Sequence, residues 1–308
     1  MLSFNDYMKH TLKVTFILLF LFFMSQLVGL VITNSYIDHK ATEETGKVTF
    51  VDLPYDMERP PVEQKSSFVF ILMAILVGTV LVLLLIRFKK TFLWKIWFFL
   101  AVLLTLSIAL SAFMNSIIAF LLSLVLAVYK IFRPNVIVHN ITEVFVYGGL
   151  AAIFVPIMNL FAVFVLLILI SVYDFIAVFK IKHMVKMAKF QTKSKVFAGL
   201  LIPYKREKDK GKIVNGIKVK RSVKTAILGG GDIGFPLLFA GVVMKGLMLE
   251  QGVLAGFLRT LIIPIFATIA LYILFLKGEK NKFYPAMPFL TAGCFIGYFI
   301  ILLVNYFL

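Results

Sequence analysis

One cysteine and four histidines are all that this 308-residue chain offers of the residues that crosslink small folds or hold zinc. Cys294 sits alone in an apolar run, so no internal disulfide can form. His10, His39, His139 and His183 are scattered and no HExxH is present, which excludes that zinc-peptidase pattern. No Gly-x-Ser-Gly is present to carry a membrane serine nucleophile. Charge is scarce too, at 15% of residues, against about 25% in soluble domains. The sequence calls for no metal and no organic cofactor.

What the chain has in abundance is apolar length. It is 61% hydrophobic with 33 phenylalanines, and its mean hydropathy is +0.99. Apolar runs of about 17–25 residues recur throughout, the length that crosses about 30 Å of hydrocarbon. The fold class is an all-α polytopic membrane protein. The alternating decads of an outer-membrane barrel do not occur. A net charge of +17 could suggest nucleic acid, but the basic residues cluster between the apolar runs, as topology determinants do. The first run, "TLKVTFILLFLFFMSQLVGLVIT", is longer than a signal-peptide core and lacks a small-x-small exit, so it reads as a span.

Nine spans are expected, at 13–33, 68–86, 92–113, 116–132, 141–157, 159–179, 225–244, 253–276 and 286–307. They form one transmembrane domain over 1–308. Residues 1–179 hold spans one to six, 180–224 a basic loop, and 225–308 spans seven to nine. Lys/Arg placement orients them. Lys9 and Lys13; Arg87, Lys89 and Lys90; Lys130 and Arg133; and Lys277, Lys280 and Lys282 fall on one side. The 180–224 connection, with its "KREKDKGK" core, joins them and holds 15 of the 32 basic residues. The first loop on the other side carries Asp38, Glu43, Glu44, Asp52, Asp56, Glu58 and Glu63. The N-terminus is therefore cytoplasmic and the C-terminus external. The basic loop reads as a topology element touching anionic lipid.

Of 15 acids, Glu143, Asp174 and Asp232 fall within these spans. Glu143 follows "HNIT" and reads as a capping-box partner for an N-cap at Asn140. Arg259, early in the eighth span, reads as snorkelling outward. Asp174, in "LLILISVYDFIAVFKIKHM", and Asp232, in "SVKTAILGGGDIGFPLLFAG", lie about 9 and 12 Å inside Lys180 and Lys224 at 1.5 Å per residue. Both carboxyls therefore sit at one depth near the cytoplasmic leaflet, on consecutive helices with no basic residue in either span. Two carboxyls a few ångströms apart share one proton, so one activates water while the other donates to a peptide carbonyl. Helix–helix glue and a proton or cation relay are the other readings of such a pair.

Gly229, Gly230 and Gly231 let the seventh helix approach a neighbour closely or unwind ahead of Asp232, and Pro236 weakens the helix beyond it. "KFYPAMPFLTAG" sets prolines either side of Ala286-Met287 at the start of the ninth span, on the same side as both aspartates.

These motifs resemble the GxGD intramembrane aspartyl proteases, the presenilin and signal peptide peptidase superfamily, and look most like archaeal presenilin homologues. Tyr173-Asp174 is similar to the family's Tyr-Asp, Gly229-Gly230-Gly231-Asp232 to its Gly-x-Gly-Asp, and Pro285-Ala286-Met287 to its Pro-Ala-Leu with Met in place of Leu. The resemblance implies a horseshoe of nine helices and endoproteolysis of transmembrane helices. It also implies catalytic Asp174 and Asp232, Gly229 and Gly231 shaping the site, and the Pro-Ala-Met segment supporting substrate. Expected partners are single-span membrane proteins or peptides and the lipid bilayer, with no nucleic acid. No docking site for an obligate subunit is visible, and homo-oligomerisation is left open. The expected location is the cell membrane, multi-pass, with the active site toward the cytoplasmic leaflet. The rival reading is a proton-coupled transporter or cation channel using the same acids, and a third is a catalytically silent helix-binding protein.

Overall fold

In chain order the elements begin with α1 (Leu12–Ser35), a short α2 (His39–Thr45), α3 (Ser67–Arg87), α4 (Thr91–Ser111), α5 (Ser116–Phe132) and α6 (Val136–Phe154). Then comes α7 (Leu160–Ile176), extended by a π-helical turn over Ala177–Ile181. Strands β1 (Gly199–Tyr204), β2 (Ile213–Val214), β3 (Ile217–Lys218) and β4 (Lys224–Gly229) follow. The chain closes with α8 (Gly230–Gln251), α9 (Val253–Thr260), α10 (Ile262–Lys277) and α11 (Met287–Phe307). The computed structural model describes residues 12–181, 187, 190, 191, 194, 196–204, 213, 214, 217, 218, 224–278 and 284–307. Lys9, His10, His183, Lys280, Lys282 and the "KREKDKGK" core of the basic loop lie outside the described residues.

Among the described residues, 8 helical runs are long and apolar enough to cross a membrane, with Val253–Lys277 counted as one. The remaining apolar helix, α5, has 17 residues and is shorter. Outward faces carry large apolar side chains, as lipid contact requires. On α3, Val69, Met73, Val77 and Val80 are exposed at helical spacing.

Contact levels give the helix directions. Gln26 reaches the Ile233 carbonyl (2.9 Å), Gly29 faces Leu237, and Thr33 faces Gly241, so α1 and α8 run parallel. Tyr147 against Gly230 and Val155 against Gly241 place α6 in the same sense. A Cβ on Gly148 would lie 3.2 Å from the Gly29 backbone, so the α1 and α6 backbones touch there. α7 runs against α11, with Ser171 bonded to Thr291 (2.7 Å) and Phe164 packed on Phe295 (ring centroids 4.7 Å apart). Phe164, Phe239, Phe295 and Tyr298 form an aromatic knot joining α7, α8 and α11.

The start of the seventh span differs from expectation. The expected seventh span begins at 225, but Lys224–Gly229 is a strand paired antiparallel with β1, Leu200 opposite Leu228 and Leu201 opposite Ile227. Its burial alternates: Ala226 and Leu228 are buried, Thr225 and Ile227 exposed. Such a period-2 pattern inside an apolar run is invisible to average hydropathy. The helix starts only at Gly230.

At the other end of the bundle, two cations serve carbonyls at and just beyond the C-terminus of α6. Lys245 donates to the Val155 and Met158 carbonyls (2.9 and 2.5 Å). Arg59 reaches the Ala152 carbonyl (3.4 Å). The expected seventh span ends at 244, one residue short of Lys245. Lys245 lies inside α8, is 9% exposed, and supplies donors that α6 has no residues left to provide.

Candidate active site

Asp174 sits two residues before the end of α7 and is 3% exposed. Its Oδ2 accepts from the Met287 amide (3.1 Å). The start of α11 explains why this amide is at hand. Ala286 caps α11, its carbonyl taking the Leu290 amide (3.0 Å), so the first-turn N–H groups point outward at the positive end of the helix. Pro285, Ala286 and Met287 are all buried. Among the described residues, Asp174 Oδ1 is buried without a hydrogen-bond partner.

Asp232 is the third residue of α8 and half-buried. Its Oδ2 accepts from the Gly229 amide (3.2 Å), which closes the strand-to-helix turn. A carboxylate in a first helical turn is favoured by the helix dipole. Gly230 donates to the Ala198 carbonyl (3.1 Å), tying the same turn to the start of β1. A methyl on Gly230 would lie 2.6 Å from the Tyr147 hydroxyl, and one on Gly231 3.3 Å from Phe235.

The depths of the two aspartates follow from the aromatic knot. Phe164 and Phe239 touch, with ring centroids 5.0 Å apart. Asp174 lies about 15 Å along α7 from that level, and Asp232 about 11 Å back along α8. Because the helices run in opposite senses, both displacements lead to the same end. Tyr173 goes elsewhere: a residue adjacent to Asp174 is turned by about 100°, and its hydroxyl meets Thr79 on α3 (3.2 Å). The structure thus joins Asp174 to the Ala286-Met287 segment and Asp232 to Gly229, and turns Tyr173 toward the bundle's rim.

Glu143 departs from its expected role. The N-cap of α6 is Asn135, whose side chain accepts from Ile137 and Val138, so the helix begins before Asn140 and Glu143 is mid-helix. Glu143 Oε1 pairs with Lys130 Nζ at 2.5 Å, both side chains 1% exposed. Its Oε2 accepts from the Tyr147 hydroxyl and the Gly199 amide (2.9 Å). Lys130, expected as a cytoplasmic topology residue, is thereby buried, because a charge at that depth needs a counter-charge. Asn140 bonds both backbone groups of Leu201 (2.8 and 3.0 Å), and His139 Nε2 donates to the Gly199 carbonyl (2.7 Å). A signal was available, since His139, Glu143 and Tyr147 at i, i+4 and i+8 form a polar stripe on an apolar helix. Among the described residues, no three His, Cys, Asp or Glu side chains group as a metal site needs.

Comparison with curated protein sequences gives no match. Two solved structures, each described as a presenilin family intramembrane aspartate protease, share the fold. One, in space group C222, superposes with a TM-score of 0.58 at 18% identity, covering 94% of this chain and 99% of its own. The other, in space group P2, gives 0.57 at 17% identity, covering 93% and 96%. The family model described as "Signal-peptide peptidase, presenilin aspartyl protease" matches residues 49–306. That stretch holds the Tyr-Asp, Gly-Gly-Gly-Asp and Pro-Ala-Met motifs together, and this chain belongs to the signal-peptide peptidase and presenilin aspartyl protease family.

Proposed function

We propose that the protein is an intramembrane aspartic endopeptidase that hydrolyses peptide bonds within the transmembrane helices of other membrane proteins, with Asp174 and Asp232 as an acid–base pair. The observation that carries this reading is the state of Asp174. It is a buried carboxyl with one oxygen anchored to the Met287 amide at the start of α11 and the other facing no protein donor among the described residues. A buried acid held by one oxygen only is poised for water or a reacting carbonyl rather than built as structural glue.

In the reaction, the ionised carboxyl takes a proton from water as the water oxygen bonds the peptide carbon. The protonated carboxyl gives its proton to the carbonyl oxygen, forming a tetrahedral diol. Proton transfer to the amide nitrogen then breaks the C–N bond, one hydroxyl loses its proton to a carboxylate, and the new acid leaves. The titration belongs to the pair rather than to either residue.

A helical substrate must be extended to be cut, and β4 offers an edge for it. Gly199 and Leu201 turn their backbone groups away from β4, to α6, so their opposite residues Gly229 and Ile227 face away from β1. Gly229 uses its amide on Asp232, and Ile227 lies on the outer edge just ahead of it. Strand addition there leads a peptide toward the aspartates. The Lys/Arg distribution supports a cytoplasmic-leaflet position for this end of the bundle, and family membership favours the peptidase reading over the transport one.

The test is cleavage of a tagged single-span helix by purified protein in mild detergent. Asp174→Ala and Asp232→Ala should each abolish product, and an aspartic-protease transition-state analogue should block the wild type. Cleavage that survives either substitution would sink the pair.

A further inference from the structure

Two-stranded ribbons are marginal by themselves, yet Asp232 is mounted on the end of one. β4 runs directly into Gly229, whose amide binds the Asp232 carboxyl, and the next residue, Gly230, is bonded to Ala198 just before β1. Whatever holds β1 therefore holds Asp232.

The outer edge of β1 is held by α6. Gly199 has its carbonyl bound by His139 and its amide by Glu143; Leu201 has both groups bound by Asn140. These four bonds fall on alternate residues, the pattern a neighbouring strand would supply, but side chains of one helix supply them. All three side chains belong to buried residues. Glu143 is the hub, because its Oε2 also takes the Tyr147 hydroxyl, which lies against Gly230, and its Oε1 takes Lys130 from α5. Gly199 has φ +134°, and a Cβ there would run into the Leu228 carbonyl, so the strand begins at a residue only glycine suits.

We propose that His139, Asn140 and Glu143 act as a surrogate third strand that clamps β1 and so positions Asp232, with Glu143 as the central positioning residue. Its consequence for turnover rests on the peptidase reading above; its consequence for the ribbon does not.

Glu143→Ala alone leaves Lys130 buried without its counter-charge, so the comparison is made in a Lys130→Met background, where Gln keeps an acceptor for the Gly199 amide and Ala does not. Asn140→Ala is the third variant and leaves the charge pair intact. Amide hydrogen exchange over 199–204 and 224–232 is read beside kcat on a tagged single-span substrate and beside thermal unfolding. Loss of a hydrogen bond of about 1.4 kcal/mol corresponds to about tenfold. K130M/E143A and N140A should exchange about tenfold faster in the ribbon, with helix protection unchanged, and lose about tenfold in kcat per folded molecule. K130M/E143Q should stay within about threefold of wild type in both. Unchanged ribbon exchange in K130M/E143A and N140A would overturn the clamp, and a loosened ribbon with unchanged kcat would overturn the positioning role. If wild-type protein cleaves nothing while the ribbon still loosens as stated, the clamp stands and the peptidase reading falls.

Discussion

Each of the three glycines before Asp232 meets a different neighbour. A methyl at Gly229 would lie 3.2 Å from the Asp232 carboxylate, one at Gly231 would lie 3.3 Å from the edge of Phe235, and one at Gly230 would lie 2.6 Å from the Tyr147 hydroxyl. Only the last confronts a ring that is buried and hydrogen-bonded to Glu143. The resemblance points to Gly229 and Gly231, whereas in this chain the tightest contact is at the middle position. Overpacking of this kind costs about 1–3 kcal/mol, one to two decades if it falls on the transition state. Gly230→Ala should therefore lower kcat/KM by at least about tenfold, while Gly231→Ala, facing a movable ring edge, costs less than about threefold. Initial rates on one substrate compare them, and the opposite order would show that Tyr147 yields more readily than Phe235.

At the scale of elements, the two ends of α6 do different work. Its first turns grip β1, and carbonyls at and just beyond its C-terminus are served by Lys245 and Arg59. Removing a buried donor leaves its acceptors unsatisfied at about 1–3 kcal/mol. Lys245→Met should destabilise the fold by about that much, read as a lower thermal midpoint in detergent. Cleavage per folded molecule should be unchanged, because Lys245 lies about 20 Å along α8 from Asp232. A fall in kcat at unchanged midpoint would contradict this division of labour. The helix spans were legible from apolar run length; the β1–β4 ribbon was not. Its residues read as the start of a span because hydropathy averages over the window, and the strand exists only because β1 comes back across a long connection to pair with it.

At the scale of the whole molecule, the Lys130–Glu143 pair joins α5 to α6 and so links the packing of α3–α5 to the helices that carry the aspartates. Breaking a buried pair by removing one partner costs about 3–5 kcal/mol, mostly from the stranded charge, while removing both costs far less. Lys130→Met and Glu143→Gln should each destabilise by about that much, and K130M/E143Q should recover most of the loss. A double-mutant cycle by unfolding in detergent measures it, and additive losses would show that the pair is not coupled.

The sequence by itself determined that the chain is a polytopic helical membrane protein and which motifs it carries, because apolar length and local spacing are properties of neighbouring residues. It also showed Asp174, Asp232 and the Pro-Ala-Met segment as exceptions to an apolar background, since intramembrane charge and helix-start prolines stand out locally. Only the tertiary structure decided that Met287 holds Asp174, that Lys130 is a partner rather than a boundary, and that α6 grips the strand leading to Asp232. Those contacts join residues far apart in the chain, and the helix directions and the ribbon that bring them together arise from packing among all the elements at once.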